Sequence, residues 1–442
     1  MFNSYTNRFK RMFESINSDT IKAYARLDKS NSFVRKRKMP LVDTILCTLS
    51  KKGLTTAMEL HQYFSQKGVN HMSISKQGYL QQRKKLNYNV FSFLNKEYLQ
   101  DFYYSSEPIL WNDYLVFAVD GSKVEVPNSD ENRLSFGECG NNHSNGEVRA
   151  LVSGIFDVFN HFFLDLQIGS VKTSESDLAK QNIYALKNIL PKHNIIVVFD
   201  RGYPSIELIH FLEKNEIKYL FRLSCNDYKK ERELMVTKDE SVKLMHTNPR
   251  LTKIKKNHPE VIEELKADKY TQTRIISSKL PSGNELGLMT NIPEKYSGKE
   301  IENLYFKRWE IEKKYHTLKN KMKFESITGK ATLYVYQDFW AQRVIYNMIQ
   351  DVLHASNRNI EKDLTSHQYK YPIKINENMA IGLFKEKFIK LLIEPSDRIR
   401  EKKLLQLQEE IKKYIVPVRN LKSHARKHNL SNKYQNNQKS SF

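Results

Sequence analysis

Cysteine is scarce: Cys47, Cys139 and Cys225 are the only ones among 442 residues, and they lie far apart. Without a paired spacing there is no case for a zinc site or a disulfide framework, which fits a reducing cytoplasm. Histidine occurs 13 times but never as HExxH. His424 and His428 are four apart, but in a polar tail, where solvated side chains are expected. No apolar run approaches the roughly 20 residues of a membrane span. The N-terminal segment MFNSYTNRFKRMFESINSD has no long apolar stretch of the secretory-signal type. Acidic residues are also short, with 50 against 72 basic ones and a net charge of +22. That surplus points to a polyanionic partner, most often nucleic acid. The alternative is a codon bias toward Lys, Asn and Ile.

What is present supports a folded protein of two to four structural units. The hydrophobic content is 40%, with 24 Tyr and 23 Phe, enough for a large core. Residues 1–106 read as helical. Pro40 opens an apolar-periodic segment to Leu49, Thr55–Phe64 is a second, and Ser73–Leu86 is a third. Lys76, Arg83 and Lys84 lie on the third. Two readings of it stay open: a recognition helix of helix-turn-helix type, or an amphipathic helix with a solvated basic face. The upstream cluster Arg35, Lys36, Arg37 and Lys38 favours a phosphate-contacting arm.

Over residues 107–224 the pattern turns to strands and helices. Leu115–Val119 is a short apolar strand expected to end at Asp120. Two β-rich runs flank Phe159-Asn160, a helix is expected over Ser174–Leu190, and Asn194–Phe199 is an apolar strand ending at Asp200. A helix over Pro204–Asn215 and a strand over Lys218–Leu223 complete the alternation. Residues 225–295 break the rhythm and read as a β-rich insertion. One helix is then expected from about Ser297 to Met322. It opens the segment 296–357, which also holds a long amphipathic helix from Leu333 to Ala355. Residues 358–416 read as a helical C-terminal region for dimerisation or DNA contact, and 417–442 as a basic flexible tail. No internal repeat is present.

The densest chemistry lies on the expected Ser297–Met322 helix. Tyr305, Arg308, Glu312 and Lys319 are spaced by three, four and seven residues. At ~100° per residue they fall within roughly a 60° arc. A neighbouring stripe of Leu304, Ile311, Tyr315 and Leu318 suits docking on a core. In a mixed sheet the strands carrying Asp120 and Asp200 can lie side by side, and Glu312 on a helix packed there would complete a three-carboxylate cluster. Such a cluster repels itself unless protonated or metal-bound. Hard oxygen donors without Cys or His suit Mg²⁺ or Mn²⁺, and two such ions serve phosphodiester chemistry. Other readings stand beside this one: strand-end aspartates as structural residues, Arg308 and Lys319 in ion pairs with Glu312, and Tyr305 and Trp309 in core packing.

Asp120 in AVDGSKVEVPNS, Asp200 in VVFDRGY and the Y-x2-R-x3-E-x6-K spacing resemble the DDE transposases of bacterial insertion sequences, in the branch with the YREK signature. The RWEIE run at Arg308–Glu312 and the Thr290-Asn291 pair fit the same branch. The resemblance spans about residues 33–350. It implies an α/β, RNase H-like mixed sheet flanked by helices, with a β-rich insertion, an N-terminal all-helical DNA-binding domain and a helical C-terminal region. It implies Asp120, Asp200 and Glu312 as catalytic ligands of two Mg²⁺ ions, which Mn²⁺ can replace. Tyr305, Arg308 and Lys319 would hold DNA phosphates. The implied activity is cleavage at terminal inverted repeats of double-stranded DNA and transfer to target DNA, by a homodimer in the bacterial cytoplasm on the nucleoid. The alternatives are an inactive or domesticated DNA-binding relative and a metal-dependent DNA nuclease on the same fold. One departure is that no tryptophan lies in the insertion, since Trp occurs only at 111, 309 and 340.

Overall fold

A computed structural model of the chain describes residues 4–27, 32–34, 38–69, 74–140, 146–280, 282–363 and 370–418. Arg35, Lys36 and Arg37 lie outside the described residues, as does the tail beyond residue 418. Six helices come first: α1 (Ser4–Asn17), α2 (Thr20–Ala25), α3 (Leu41–Leu49), α4 (Thr56–Gln66), α5 (Lys76–Arg83) and α6 (Asn89–Tyr103). Strand β1 (Leu115–Glu125), helix α7 (Asp130–Phe136) and strands β2 (Glu138–Cys139), β3 (Glu147–Asp157) and β4 (Phe163–Ser170) follow. Next are α8 (Glu175–Ile189), β5 (Ile195–Phe199), α9 (Ile206–Lys214) and β6 (Lys218–Leu223). The insertion holds α10 (Lys229–Glu233), β7 (Asp239–Met245), α11 (Asn248–Asn257), α12 (Ile262–Ala267), β8 (Tyr270–Lys279) and β9 (Glu285–Thr290). Then come α13 (Gly298–Phe306), α14 (Trp309–His316), α15 (Thr332–Asp363), β10 (Ile373–Ile375), α16 (Glu377–Leu392), α17 (Asp397–Lys412) and β11 (Ile415–Pro417).

These elements form two compact units. The first takes the described residues up to Ser105, of Val124–Arg149 and from Tyr315 on; the second takes Ser106–Lys123 and Ala150–Lys314.

The second unit is built on a mixed sheet in the order β4-β3-β1-β5-β6-β9-β8-β7. Strands β3 and β4 are antiparallel, whereas β1, β5 and β6 run parallel. The order and directions of β4-β3-β1-β5-β6 are those of an RNase H-like sheet. Central β5 reads IIVVF and is buried along its whole length, as a parallel strand covered on both faces must be. The parallel crossovers from β4 to β5 and from β5 to β6 pass through α8 and α9. Helix α9 starts at Ser205, whose hydroxyl accepts a bond from the Leu208 amide at 3.1 Å, and so satisfies an end donor.

The insertion differs from a separate β module. Its strands join the main sheet, with β9 antiparallel to β6 and then β8 and β7 beyond. It also carries three short helices, which its Lys- and Glu-rich composition did not single out. Thr290 and Asn291 secure this junction. Thr290 Oγ1 donates to the Tyr219 carbonyl at 2.5 Å, and Asn291 Oδ1 accepts from the Tyr219 amide at 2.8 Å.

The first unit is helical and organised on α15, a helix of 32 residues. Gln337, Asp338, Gln342, Arg343, Asn347, Gln350 and Asp351 are all buried along it. Each needs a partner, because an unpaired polar group in a core costs about 1–3 kcal/mol. Arg8 forks onto Asp351 at 2.7 and 2.6 Å, and the Tyr98 hydroxyl donates to the same carboxylate at 2.7 Å. Asp338 pairs with Arg83 at 2.7 Å and also with Lys51. No helix among the described residues is long and apolar enough to cross a membrane.

Two expectations about the functional elements need correction. Strand β1 does not stop at Asp120; it continues to Glu125, so the aspartate sits within the strand. Just past the strand end the Val126 amide still donates to the Val148 carbonyl at 3.3 Å, and Val124 and Val126 are both buried. The expected helix from Ser297 to Met322 is not continuous. It begins as foreseen, with a reciprocal capping box between Ser297 and Glu300. It then breaks at Lys307-Arg308 between α13 and α14 and ends in a π-helical turn, Thr317–Lys321.

Candidate active site

The break in the motif helix is a tightening. Amides of Lys307, Arg308, Glu310 and Ile311 bond to carbonyls three residues back, at 3.0–3.1 Å. In such a turn residues i and i+3 eclipse, so Arg308 stands over Tyr305. Its guanidinium lies 5.9 Å from the Tyr305 ring centroid and 5.1 Å from the Trp309 ring. Both Tyr305 and Arg308 are buried, at 0% and 1% exposure.

Arg308 joins the three candidate carboxylates. Nη2 pairs with Glu312 Oε1 at 2.9 Å and lies 3.7 Å from Asp200 Oδ2, and Nη1 lies 4.0 Å from Asp120 Oδ2. The Tyr305 hydroxyl donates to Asp200 Oδ1 at 3.1 Å. Asp120 is delivered by β1 and Asp200 by the end of β5, and these strands pair in parallel with Ala118 opposite Val198. Glu312 and Arg308 are one helical turn apart. Five side chains from three chain segments therefore meet.

The electrostatics are those of a site short of positive charge. Burial pushes the Asp120 carboxyl up to about 6; Arg308 opposes this, while Glu312 and Asp200 add to it. Burial also raises the Tyr305 phenol, against the pull of Arg308. Burial lowers the Arg308 guanidinium, but Tyr305 and Asp200 more than compensate, and it stays above the ordinary arginine value. Nε and Nη1 of Arg308 are buried without a hydrogen-bond partner.

These groups fit a hard divalent cation. The donors are carboxylate oxygens, and the charge they lack is positive. As they stand, no three His, Cys, Asp or Glu side chains among the described residues draw together around one ion; the carboxylates are gathered by the guanidinium instead.

The remaining expected residues are distributed differently. Lys319 falls in the first unit, on the π-helical turn. Burial draws its ammonium below the usual lysine range, with Glu325 opposing and Arg149 assisting. Lys38, Lys76 and Lys84 are exposed. Arg83 is not on that basic face. It is fully buried, bonding Gln337 at 2.8 Å and Asp338 at 2.7 Å. It is the last residue of α5, and its side chain is enclosed by the core around α15. Helix α5 itself is short, Lys76–Arg83, with Ser75 as its cap.

Sequence reasoning missed Glu175 and Tyr203, which adjoin Asp120 and Asp200. The DRGY run did contain Tyr203, three residues after Asp200. Glu175 carried no signal beyond being an acid in the first turn of α8.

The RNase H-like sheet thus places Asp120 on β1, Asp200 at the end of β5 and Glu312 on a later helix. Residues 111–348, more than half of the chain, match the family described as "Transposase DDE domain", and the chain belongs to that family. It is similar to the Transposase InsG for insertion sequence element IS4 of Escherichia coli (strain K12), at 24% identity over 330 residues, covering 72% of this chain and 70% of that protein. Among solved structures it matches the piggyBac transposase in a synaptic complex with hairpin DNA. That match has a TM-score of 0.43 and 9% identity, and covers 91% of this chain and 84% of that one.

Proposed function

We propose that the protein is the transposase of an insertion sequence of the IS4 type, in the YREK branch, which cleaves DNA at terminal inverted repeats and joins the freed end to target DNA. The observation that carries this reading is the reach of one buried guanidinium, Arg308, to Asp120, Asp200 and Glu312 in a chain of the DDE family.

Asp120, Asp200 and Glu312 would hold two divalent cations, Mg²⁺ or Mn²⁺. Bound there, such ions supply an activated water or 3′-hydroxyl and stabilise the leaving oxygen. Tyr305 orients Asp200 through its hydrogen bond. Arg308 keeps the carboxylates gathered and offers a guanidinium fork to a DNA phosphate. The three-residue tightening before α14 holds Arg308 and Tyr305 in register. Lys319, Lys38, Lys76 and Lys84 are proposed DNA contacts, and the surplus of basic residues suits a polyanion. A homodimer would pair two ends.

The test is strand cleavage on labelled DNA taken from the flanks of the source gene, with Mg²⁺ or Mn²⁺, comparing wild type with Glu312→Gln. Metal-dependent cleavage leaving a joinable 3′-hydroxyl, lost in the variant while DNA binding persists, is expected. Specific binding of the end without cleavage by the wild type would overturn the catalytic reading.

A further inference from the structure

Glu175 occupies a place next to the candidate centre that the three-carboxylate scheme does not use. It is the first residue of α8, after the cap residue Ser174. Its carboxylate rests over the backbone of Gly121, the residue after Asp120. A Cβ at position 121 would stand 2.9 Å from the carboxylate carbon and 3.1 Å from either oxygen. Glycine leaves that space open. Any larger residue would push the carboxylate away, because it is the free end of a flexible side chain.

Tyr203 approaches from the other aspartate. It lies three residues after Asp200 and is 4% exposed. Its hydroxyl is buried and faces the Glu175 carboxylate. Burial and then the charges of Glu175, Asp120 and Asp200 raise the phenol far above the tyrosine range. Tyr203 and Ser174 also line a cavity of about 480 Å³ at the N-terminal ends of α8 and α9. A buried hydroxyl thus faces the same carboxylates, and Arg308 Nη1 lies 4.0 Å from Asp120 Oδ2.

We infer that Glu175 is a fourth carboxylate of the centre: a positioning residue, steadied by Tyr203, that spans the Asp120 and Asp200 segments and raises the site's affinity for divalent cations. This rests on the cation-dependent reading of Asp120, Asp200 and Glu312. Its physical basis is simple. A further carboxylate over the Asp120-Gly121 backbone adds negative charge where two cations must be balanced. Groups that orient metal ligands typically change metal affinity by 10–100-fold.

The experiment measures Mn²⁺ binding to the full chain by electron paramagnetic resonance. It compares wild type, Asp200→Asn, Glu175→Gln, Glu175→Asp, Gly121→Ala and Tyr203→Phe, with circular dichroism melts as the folding control. Glu175→Gln is expected to weaken Mn²⁺ binding by roughly tenfold. Glu175→Asp should recover part of the loss, and Tyr203→Phe should produce a smaller shift in the same direction. Gly121→Ala should weaken binding although the carboxylate is still present, because it is displaced. Cleavage by Glu175→Gln should need a correspondingly higher Mn²⁺ concentration for half-maximal rate. Wild-type affinity in Glu175→Gln and Gly121→Ala, with binding lost in Asp200→Asn, would overturn this inference and leave the three-carboxylate centre standing. Equal binding in wild type and Asp200→Asn would overturn both. If Glu175→Gln fails to fold, Glu175→Asp and Gly121→Ala decide the matter.

Discussion

Tyr305 and Asp200 stand 105 residues apart in the chain, yet the phenol hydroxyl donates to the carboxylate at 3.1 Å. The bond fastens the end of α13 to the loop after β5. It makes the position of a candidate metal ligand depend on a residue fixed by the tightened turn at Lys307-Arg308.

Tyr305→Phe keeps the buried ring and removes only the hydroxyl. A hydrogen bond to a charged group contributes about 1.5–3 kcal/mol. Cleavage is expected to fall by roughly tenfold or more, since 1.4 kcal/mol is tenfold. The melting temperature should fall by only a few degrees, about 2–4 °C per kcal/mol lost. Parallel cleavage rates and thermal melts check this; an unchanged rate would detach Tyr305 from the chemistry.

Arg308→Lys keeps a charge but loses the planar fork that reaches Glu312, Asp200 and Asp120. A lysine is a point charge on a flexible stem. Losing one preorganised electrostatic partner in an active site costs roughly 10²–10³ in rate. That loss is expected in a single-turnover cleavage assay, with end-DNA affinity changed by much less.

Asp120 gives a pH-dependent stability with a defined sign in metal-free protein. Its folded carboxyl is pushed up to about 6 from the ordinary 3.8, chiefly by burial. The folded chain therefore holds this proton more tightly than the unfolded chain. The contribution is fully present below pH 3.8 and is lost as pH rises through about 6, by at most about 3 kcal/mol. In chelator, wild type should lose stability relative to Asp120→Asn between about pH 4 and 7. Urea unfolding of both proteins across that range is the measurement, and parallel curves would refute the expectation.

The basic residues of α5 should separate by burial. Arg83→Ala strands Asp338, although Lys51 still pairs with it, and breaking a buried ion pair costs about 3–5 kcal/mol. Lys84→Ala and Lys76→Ala remove only exposed charges. Each should leave stability within about 0.5 kcal/mol and, if it contacts a phosphate, lower the salt slope of DNA binding by about 1. Urea unfolding and salt-dependent binding titrations distinguish the two classes.

Much of the sheet was legible from local pattern. The apolar run Asn194–Phe199 and the period-2 segments on either side of Phe159-Asn160 are signals carried by a few neighbouring residues. The strand of Lys218–Leu223 lies where its pattern places it. Less legible were features that depend on what a segment meets. Strand β1 runs past Asp120-Gly121 to Glu125, although Asp-Gly is ordinarily a turn signal. Arg83 read as a DNA-contacting or solvated basic residue because nothing nearby in sequence announces Asp338, 255 positions away.

By itself the sequence determined which chemical groups are available: strand-borne aspartates, a Tyr-Arg-Glu-Lys spacing, a basic surplus and no thiol or histidine cluster. It also determined the alternation of apolar strands and amphipathic helices, because period-2 and period-3.6 burial are local properties of the chain. Only the tertiary structure decided that the motif helix tightens at Lys307-Arg308, that one guanidinium reaches all three carboxylates, and that Glu175 rests over Gly121. The reason is physical. Ion pairing, desolvation and the space above a glycine are set by groups remote in sequence, and they exist only once the strands have paired and the helices have packed.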